Sequence, residues 1–312
     1  MSNTLLVYIE IRFMYFLARS PMEIRTLHYF LEMARERNIT HAAARLHVTQ
    51  PTLSRQIKAL ERELGKKLFT RSNYHIELTE EGMLLRRRAE EILKMVELTE
   101  EEFRSLDGDG GDVRFGCAET EGLTSFFKAL RSIQHTHPRI RFHIFTSGTD
   151  AVNERLDQGL LDAAVIVQSV DLSRYNHLQL PGSTRWGLLV PESDPLAQHE
   201  VLYRQDLVGL PLICSRQGLQ EENLRWFGEI QDSLDIVATY DMLYNAALMT
   251  RCGIGYTLGL EGIVATGKES GLRFLPLEPE LSSPMYVIWR KYQKFTPAFN
   301  LVLDELTQRF GN

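Results

Sequence analysis

Apolar residues between Met22 and Gly65 recur with helical spacing, and the pattern breaks twice. Leu27, Phe30, Leu31 and Ala34 stand at i, i+3, i+4 and i+7, which predicts an amphipathic first helix. Asn38-Ile39-Thr40 interrupts it, and Thr40 is expected to cap a short second helix built on Ala42, Ala43 and Ala44. Those small side chains allow another helix to approach closely. A third helix is expected from Thr49-Gln50-Pro51, with proline in the first turn, where its missing N–H costs nothing. Leu53, Ile57, Leu60 and Leu64 form its inner stripe and Gly65 ends it. Gln50, Thr52, Ser54, Arg55, Lys58 and Arg62 remain outward, with the hydrogen-bonding and cationic groups that meet base edges and phosphates in a major groove. Two short extended pieces, 67–70 and 75–78, read as a hairpin with Arg71 near its tip. Helix, short helix, capped polar-faced helix and basic hairpin is the order of a winged helix-turn-helix, expected over residues 22–78.

Downstream the period changes. Leu85, Ala89, Ile92, Val96, Thr99, Phe103 and Leu106 alternate spacings of four and three, a heptad seam that predicts a partner helix over residues 79–106. Arg86-Arg87-Arg88 and a set of glutamates flank the seam as a solvated face. The run 107–112, Asp and Gly only, reads as a hinge. From Val113 onward short apolar runs alternate with helical stretches: strands at 113–118, 140–145 and 163–167, then, after Pro181-Gly182, at 186–190, 212–214, 236–239 and 254–258. Met285 to Trp289 and a last helix from Pro297 return to the first set. The pattern predicts an α/β effector domain over 113–312, with a parallel sheet covered on both sides. One lobe is expected at about 113–182 and 284–312 and a second at about 183–283, with a cleft between them.

Length fits this division, since 312 residues is about twice one ordinary domain. Net charge is −6, but residues 22–78 carry ten basic against six acidic side chains. A basic head on an acidic body suggests a polyanion-binding module joined to something with another task. The near-apolar stretch 4–18 contains Glu10 and Arg12 and lacks the ~20 apolar residues of a membrane span. It has no basic start or cleavage site of a secretion signal either. Met22 follows Pro21 and opens a well-patterned helix. Residues 1–21 are therefore expected to be an extension read from an upstream start codon, the alternative being a short ordered extension. Cys117, Cys214 and Cys252 are odd in number and far apart, which fits a reducing cytoplasm rather than a disulfide framework.

The stretch from Ile24 to Ser72, IRTLHYFLEMARERNITHAAARLHVTQPTLSRQIKALERELGKKLFTRS, followed by LTEEG, resembles the N-terminal signature of LysR-type transcriptional regulators. The match runs through Ala42-Ala43, Thr49 to Glu61, Leu64-Gly65, Leu68-Phe69 and Arg71. The resemblance implies duplex DNA binding by a dimer or tetramer, with the third helix in the major groove and a long linker helix pairing subunits. Position by position it implies that Thr49, Gln50, Pro51, Thr52, Ser54 and Arg55 read or position on bases. Lys58 and Arg71 are implied to contact phosphate or the minor groove. More loosely, it extends over the C-terminal region and implies a two-lobed, periplasmic-binding-protein-like module whose ligand alters the DNA-bound oligomer. RNA polymerase is a further implied partner.

Strand ends nominate the cleft residues: Ala118, Glu119 and Thr120, Thr146 and Ser147, and Gln168 in the first lobe, with Ser215, Arg216 and Tyr240 in the second. Thr120 as a helix cap would leave N–H groups for an anion, and Arg216 favours the same sign; Glu119 and Glu121 oppose it. The expected effector is a small organic anion, with no resident cofactor. Enzyme readings find no motif: there is no GxSxG, no phosphate-loop signature and no HExxH, and Gly253-Ile254-Gly255 lacks the third glycine of a dinucleotide fingerprint. His135 and His137 read as a helix end rather than a metal pair. The expected function is a sequence-specific transcription regulator that senses a small molecule. The rival is a metabolite-binding protein whose head makes protein contacts.

Overall fold

The computed structural model describes residues 22–71, 76–105, 110–167, 172–216 and 225–311; the expected N-terminal extension lies outside them. The chain forms two compact units that divide between Glu100 and Glu101.

The first unit opens with α1 (Ile24–Glu36), α2 (Ile39–Arg45) and α3 (Gln50–Leu64). Asn38, not Thr40, caps α2: its side-chain oxygen accepts the N–H groups of Thr40 at 2.9 Å and His41 at 3.1 Å. An Asx oxygen one position earlier reaches both orphan donors, which leaves Thr40 inside the helix. Helix α3 starts at Gln50-Pro51 as expected, capped by Thr49, whose Oγ accepts the Thr52 N–H, and Gly65 closes it at φ 64°. Strands β1 (Phe69–Arg71) and β2 (Ile76–Leu78) pair antiparallel, Phe69 opposite Leu78. Leu27, Phe30, Met33, Leu53, Ile57 and Leu60 form a continuous core with Ala42 and Ala43, and Phe69 lies against the Phe30 ring.

Helix α4 spans Glu80–Ser105. Its heptad seam divides. Leu85 and Ala89 are buried, with Leu93, in the core of the helix-turn-helix itself, so they are not free to meet a partner helix. Ile92 and Phe103 are exposed, at 40% and 69%, and Val96 is half-buried; Leu106 lies outside the described residues. The start of a helix that leaves a small domain must bury one stripe against that domain, so the 3.5 repeat changes its partner part-way along. Met83, Leu84, Ile92, Met95 and Phe103 are the large apolar side chains that its described residues leave exposed.

In the second unit Gly111 and Asp112, expected as hinge, open strand β3 (Gly111–Cys117). Asp112 is held there by Arg141, whose Nε and Nη2 donate to its two carboxylate oxygens at 2.8 and 3.0 Å, and by His143. Strand β3 lies parallel between β4 (Ile140–Thr146) and β5 (Ala163–Val167), with α5 (Thr124–Thr136) and α6 (Thr149–Asp157) as crossovers. The sheet is mixed rather than parallel, because two long strands cross between lobes: β12 (Ser282–Arg290) pairs antiparallel with β5, and β6 (Tyr175–Pro191) pairs antiparallel with β12. Strand β6 runs on through Pro181-Gly182, where a break was expected. Those residues sit at a register shift opposite Met285, with Gly182 at φ 87°, so a bulge absorbs the missing N–H and the left-handed backbone.

The far half of β6 pairs with β10 (Tyr256–Leu260) and β11 (Leu272–Glu278). Strands β8 (Pro211–Ser215) and β9 (Asp235–Tyr240) continue the second lobe in parallel, and β7 (Leu202–Tyr203) adds to β11. Helix α7 (Leu243–Arg251) covers this lobe, and α8 (Pro297–Phe310) returns to the first. Each lobe holds its own apolar clusters: Val113, Phe115, Phe126 and Phe299 in one, Leu188, Leu212, Phe227 and Leu275 in the other.

Candidate nucleic-acid interface and effector cavity

The outward face of α3 is set by its inner one. Leu53, Ile57 and Leu60 are fully or nearly fully buried, which turns Gln50, Pro51, Arg55, Lys58 and Arg62 to the surface and leaves Ser54 half-buried. These residues line one open depression with Lys67. Thr49 and Thr52 are joined by an Oγ–Oγ hydrogen bond of 2.9 Å, so both serve the helix start before anything else. Arg71 ends β1, and its side chain lies outside the described residues.

Charge on this face is unspent. Arg35 and Arg45 are taken by Glu32, Lys66 by Glu81 and Lys67 by Glu61. Arg55, Lys58 and Arg62 have no acidic partner among the described residues. Three free cations on a helix with its polar groups outward form a surface suited to a phosphate backbone and its grooves. Glu61, only 8% exposed, fixes the wing behind it by accepting the Leu68 N–H at 3.0 Å.

In the second unit a cavity of about 60 Å³ opens between the lobes. Of the expected residues, Ala118, Glu119, Ser147, Ser215 and Tyr240 line it. Arg216 lines an adjoining chamber of about 200 Å³, with Ser147, Asp150 and Asp241. Thr146 is exposed and lines neither space, and Gln168 lies outside the described residues. Thr120 lines neither space. Its Oγ accepts the Gly122 N–H at 3.1 Å and meets Thr184 Oγ at 2.8 Å, in front of a single 3-10 turn, Glu121–Leu123. Thr120 thus caps this turn, which runs directly into α5 at Thr124. Arg216, at 3.4 Å from Asp241, is already paired.

Sequence reasoning missed Trp186, Met242, Leu243, Leu260 and Ile263, which give the cavity its apolar wall. Strand-end logic would have found Asp241 and Met242 had the helix after them been recognised. Tyr240 donates its hydroxyl to the Leu258 carbonyl at 2.8 Å. Burial pushes its phenol pKa up, as does nearby Cys214, so the group stays a neutral donor.

These two sites lie in segments that match known families. Residues 24–83 match the family described as "Bacterial regulatory helix-turn-helix protein, lysR family", and residues 106–311 match "LysR substrate binding domain". The chain belongs to the LysR family. As a LysR protein it is a DNA-binding transcriptional regulator with an effector-binding domain. The DNA-binding transcriptional dual regulator OxyR of Escherichia coli (strain K12) is 26% identical over 296 residues, covering 91% of this chain and 96% of OxyR. The HTH-type regulator YybE of Bacillus subtilis (strain 168) is 32% identical over 198 residues, 63% of this chain and 68% of YybE. Among solved structures, full-length CbnR complexed with its target DNA shares the fold at a TM-score of 0.71 and 22% identity, over 92% of this chain and 99% of CbnR.

A relative from Pectobacterium carotovorum subsp. carotovorum, 27% identical over 92% of this chain and 96% of its own, is named a hydrogen peroxide-inducible genes activator. In this LysR protein burial pushes the Cys117 and Cys214 thiols to about 12. A thiol in that state holds almost no thiolate at neutral pH, and thiolate is the form that oxidants attack. Among the described residues no helix is long and apolar enough to cross a membrane.

Proposed function

We propose that this LysR regulator binds a pseudo-palindromic operator as a dimer or tetramer, reading it with α3, and that a small molecule in the interlobe cavity sets its output. Gln50, Pro51, Thr52, Ser54 and Arg55 face base edges in the major groove in this reading. Lys58 and the wing residue Arg71 neutralise phosphates, and Thr49 fixes the start of the reading helix. The observation that supports it is the exposed cationic face of α3, with Arg55, Lys58 and Arg62 free of acidic partners among the described residues while neighbouring cations are paired. The work of the chain is recognition rather than turnover, carried out in the cytoplasm where DNA is, with RNA polymerase as a further partner.

A gel-shift titration with the intergenic DNA upstream of its own gene tests this. Binding is expected to exceed that to random duplex of equal length and to weaken steeply with salt, because several phosphates are neutralised. Equal affinity for native and random DNA would favour a head that serves protein contacts instead.

A further inference from the structure

The boundary between the two units falls inside a helix. It lies between Glu100 and Glu101, so the last turn of α4, residues 101–105, groups with the effector domain although the helix is continuous from Glu80. Towards its other end the same helix buries Leu85, Ala89 and Leu93 in the head. The composition of the chain put the joint elsewhere, in the run 107–112.

What fastens that last turn is Arg114 on β3. Its backbone is gripped twice by one residue: the N–H donates to Asp162 Oδ2 at 2.7 Å, and the carbonyl accepts the Asp162 N–H at 2.9 Å. The strand around it is paired on both sides, with β4 and β5. From this fixed seat the guanidinium, on a side chain only 17% exposed, pairs with the Glu101 carboxylate. A cation so far withdrawn from water is strongly destabilising once its partner is removed, so the pair holds the helix end in place. The Glu101 charge also acts on Arg141, which Asp112 grips through both carboxylate oxygens.

The far flank of the run is fastened as well. The Gly111 N–H donates to the Arg139 carbonyl at 3.3 Å, and a Cβ on Gly110 would fall 2.5 Å from Arg139 Cβ, so the backbone there lies tight against that residue. A hinge needs its two flanks to belong to bodies that move apart. Here both flanks are attached to the first lobe.

We infer that Arg114 is a positioning residue for DNA recognition: through Glu101 it locks the last turn of α4 to the effector domain, so that the helix, and not the run 107–112, carries effector-domain movement to the head. A rigid element anchored at both ends transmits a displacement that a free loop would absorb. The DNA half of the inference rests on the reading of the chain as a regulator that binds two half-sites; the lock itself does not.

Hydrogen exchange on the full chain, read by mass spectrometry, tests the lock. Glu101→Lys sets two cations against each other and is expected to speed amide exchange over residues 101–105 about tenfold, with residues 24–64 and β5 unchanged. Glu101→Gln, which keeps an acceptor for the guanidinium, is expected to give a smaller rise. Exchange over 101–105 that is unchanged in Glu101→Lys overturns the inference whatever the DNA result. Gel shifts test the consequence, on upstream DNA whose half-sites are located by footprinting. Inserting about five base pairs between them turns one half-site by about half a helical turn. Wild type is expected to bind the lengthened operator about tenfold more weakly or worse, and Glu101→Lys to reduce that penalty to about threefold. An equal penalty in both proteins removes the positioning role even where exchange has changed. Wild type that binds native and random duplex alike removes the regulator reading and the DNA half with it, while the exchange result still decides the lock.

Discussion

Glu61, on the last turns of α3, accepts the backbone N–H of Leu68 at 3.0 Å and the Lys67 ammonium at the same distance. One carboxylate thus ties the reading helix to the first strand of the wing. Lys67 is exposed and contributes little to stability, whereas the Leu68 N–H is buried and has no water to fall back on. Glu61→Ala is expected to destabilise the head by ~1–3 kcal/mol and to weaken operator binding in parallel, because helix and wing lose their fixed separation. Glu61→Gln keeps an acceptor for Leu68 and is expected to recover most of the loss. Thermal unfolding and gel shifts on both variants check this; equal losses would show that the ion pair, not the backbone contact, does the work.

Arg55 and Lys58 lie one turn apart on the exposed face of α3, yet their expected roles differ. A guanidinium that pairs with base edges discriminates among sequences, while an ammonium on a phosphate does not. Arg55→Ala is expected to cost ~1–3 kcal/mol on the native operator and to narrow the gap to random DNA. Lys58→Ala is expected to weaken both alike and to lower the slope of log affinity against log salt by about one. Gel shifts over a salt series separate the two; identical profiles would remove the division of labour.

The exposed apolar side chains of α4 make a third expectation. Ile92, Met95 and Phe103 stand at 40%, 38% and 69% exposure, three to eleven residues apart on one helix. Single exposed apolar residues are ordinary, but a run with helical spacing asks for a partner surface, and a second copy of α4 offers the same run. Ile92→Glu combined with Met95→Glu is expected to shift sedimentation from dimer toward monomer while leaving the circular dichroism of the head unchanged. Leu85→Glu, whose side chain is buried in the head, is expected instead to unfold it. A double variant that sediments as the wild type would place self-association on another surface.

Much of the head was legible because its signals are local. Pro51, the Leu53-Ile57-Leu60 stripe and Gly65 each fix one end or one face of α3 without help from distant residues. Asn38 and Thr40 are both capping types, and only the chain's path chose the first. The seam in α4 misled because a heptad records that a stripe is buried and not by what, so Leu85 and Ile92 look alike in sequence. Strand β11 and the first half of β6 went unread since their order in the sheet depends on crossings between lobes. The cavity suffered most. Trp186 reads simply as a strand start, and Met242 was invisible once α7 was missed, so the apolar wall of the cavity depends on tertiary placement. Glu119 was named from its strand end, but that its Oε2 is shut off from solvent with no hydrogen-bond partner among the described residues is a property of the folded surroundings alone.

Asp162 offers a measurement on stability. Its Oδ2 accepts the backbone N–H of Arg114 at 2.7 Å, while the Arg114 side chain pairs with Glu101. Desolvation raises the Asp162 carboxyl from 3.8 to about 6, against the opposing pull of the Arg114 N–H and charge; Glu102 adds to the rise and Arg290 reduces it. The folded state therefore holds this proton more tightly than the unfolded chain does. Its contribution is fully present below about pH 4 and is lost as pH climbs through about 6, where folding must carry a desolvated charge. The difference is worth at most ~3 kcal/mol, and residual solvent access reduces it. Asp162→Asn keeps an oxygen for the Arg114 N–H and removes the titration. It is expected to flatten the fall in stability between about pH 4 and 6 and to raise stability at pH 7 by ~1–2 kcal/mol. Urea unfolding of wild type and variant across that range decides it. Parallel pH profiles would mean that Asp162 titrates as an ordinary carboxylate and that water reaches it freely.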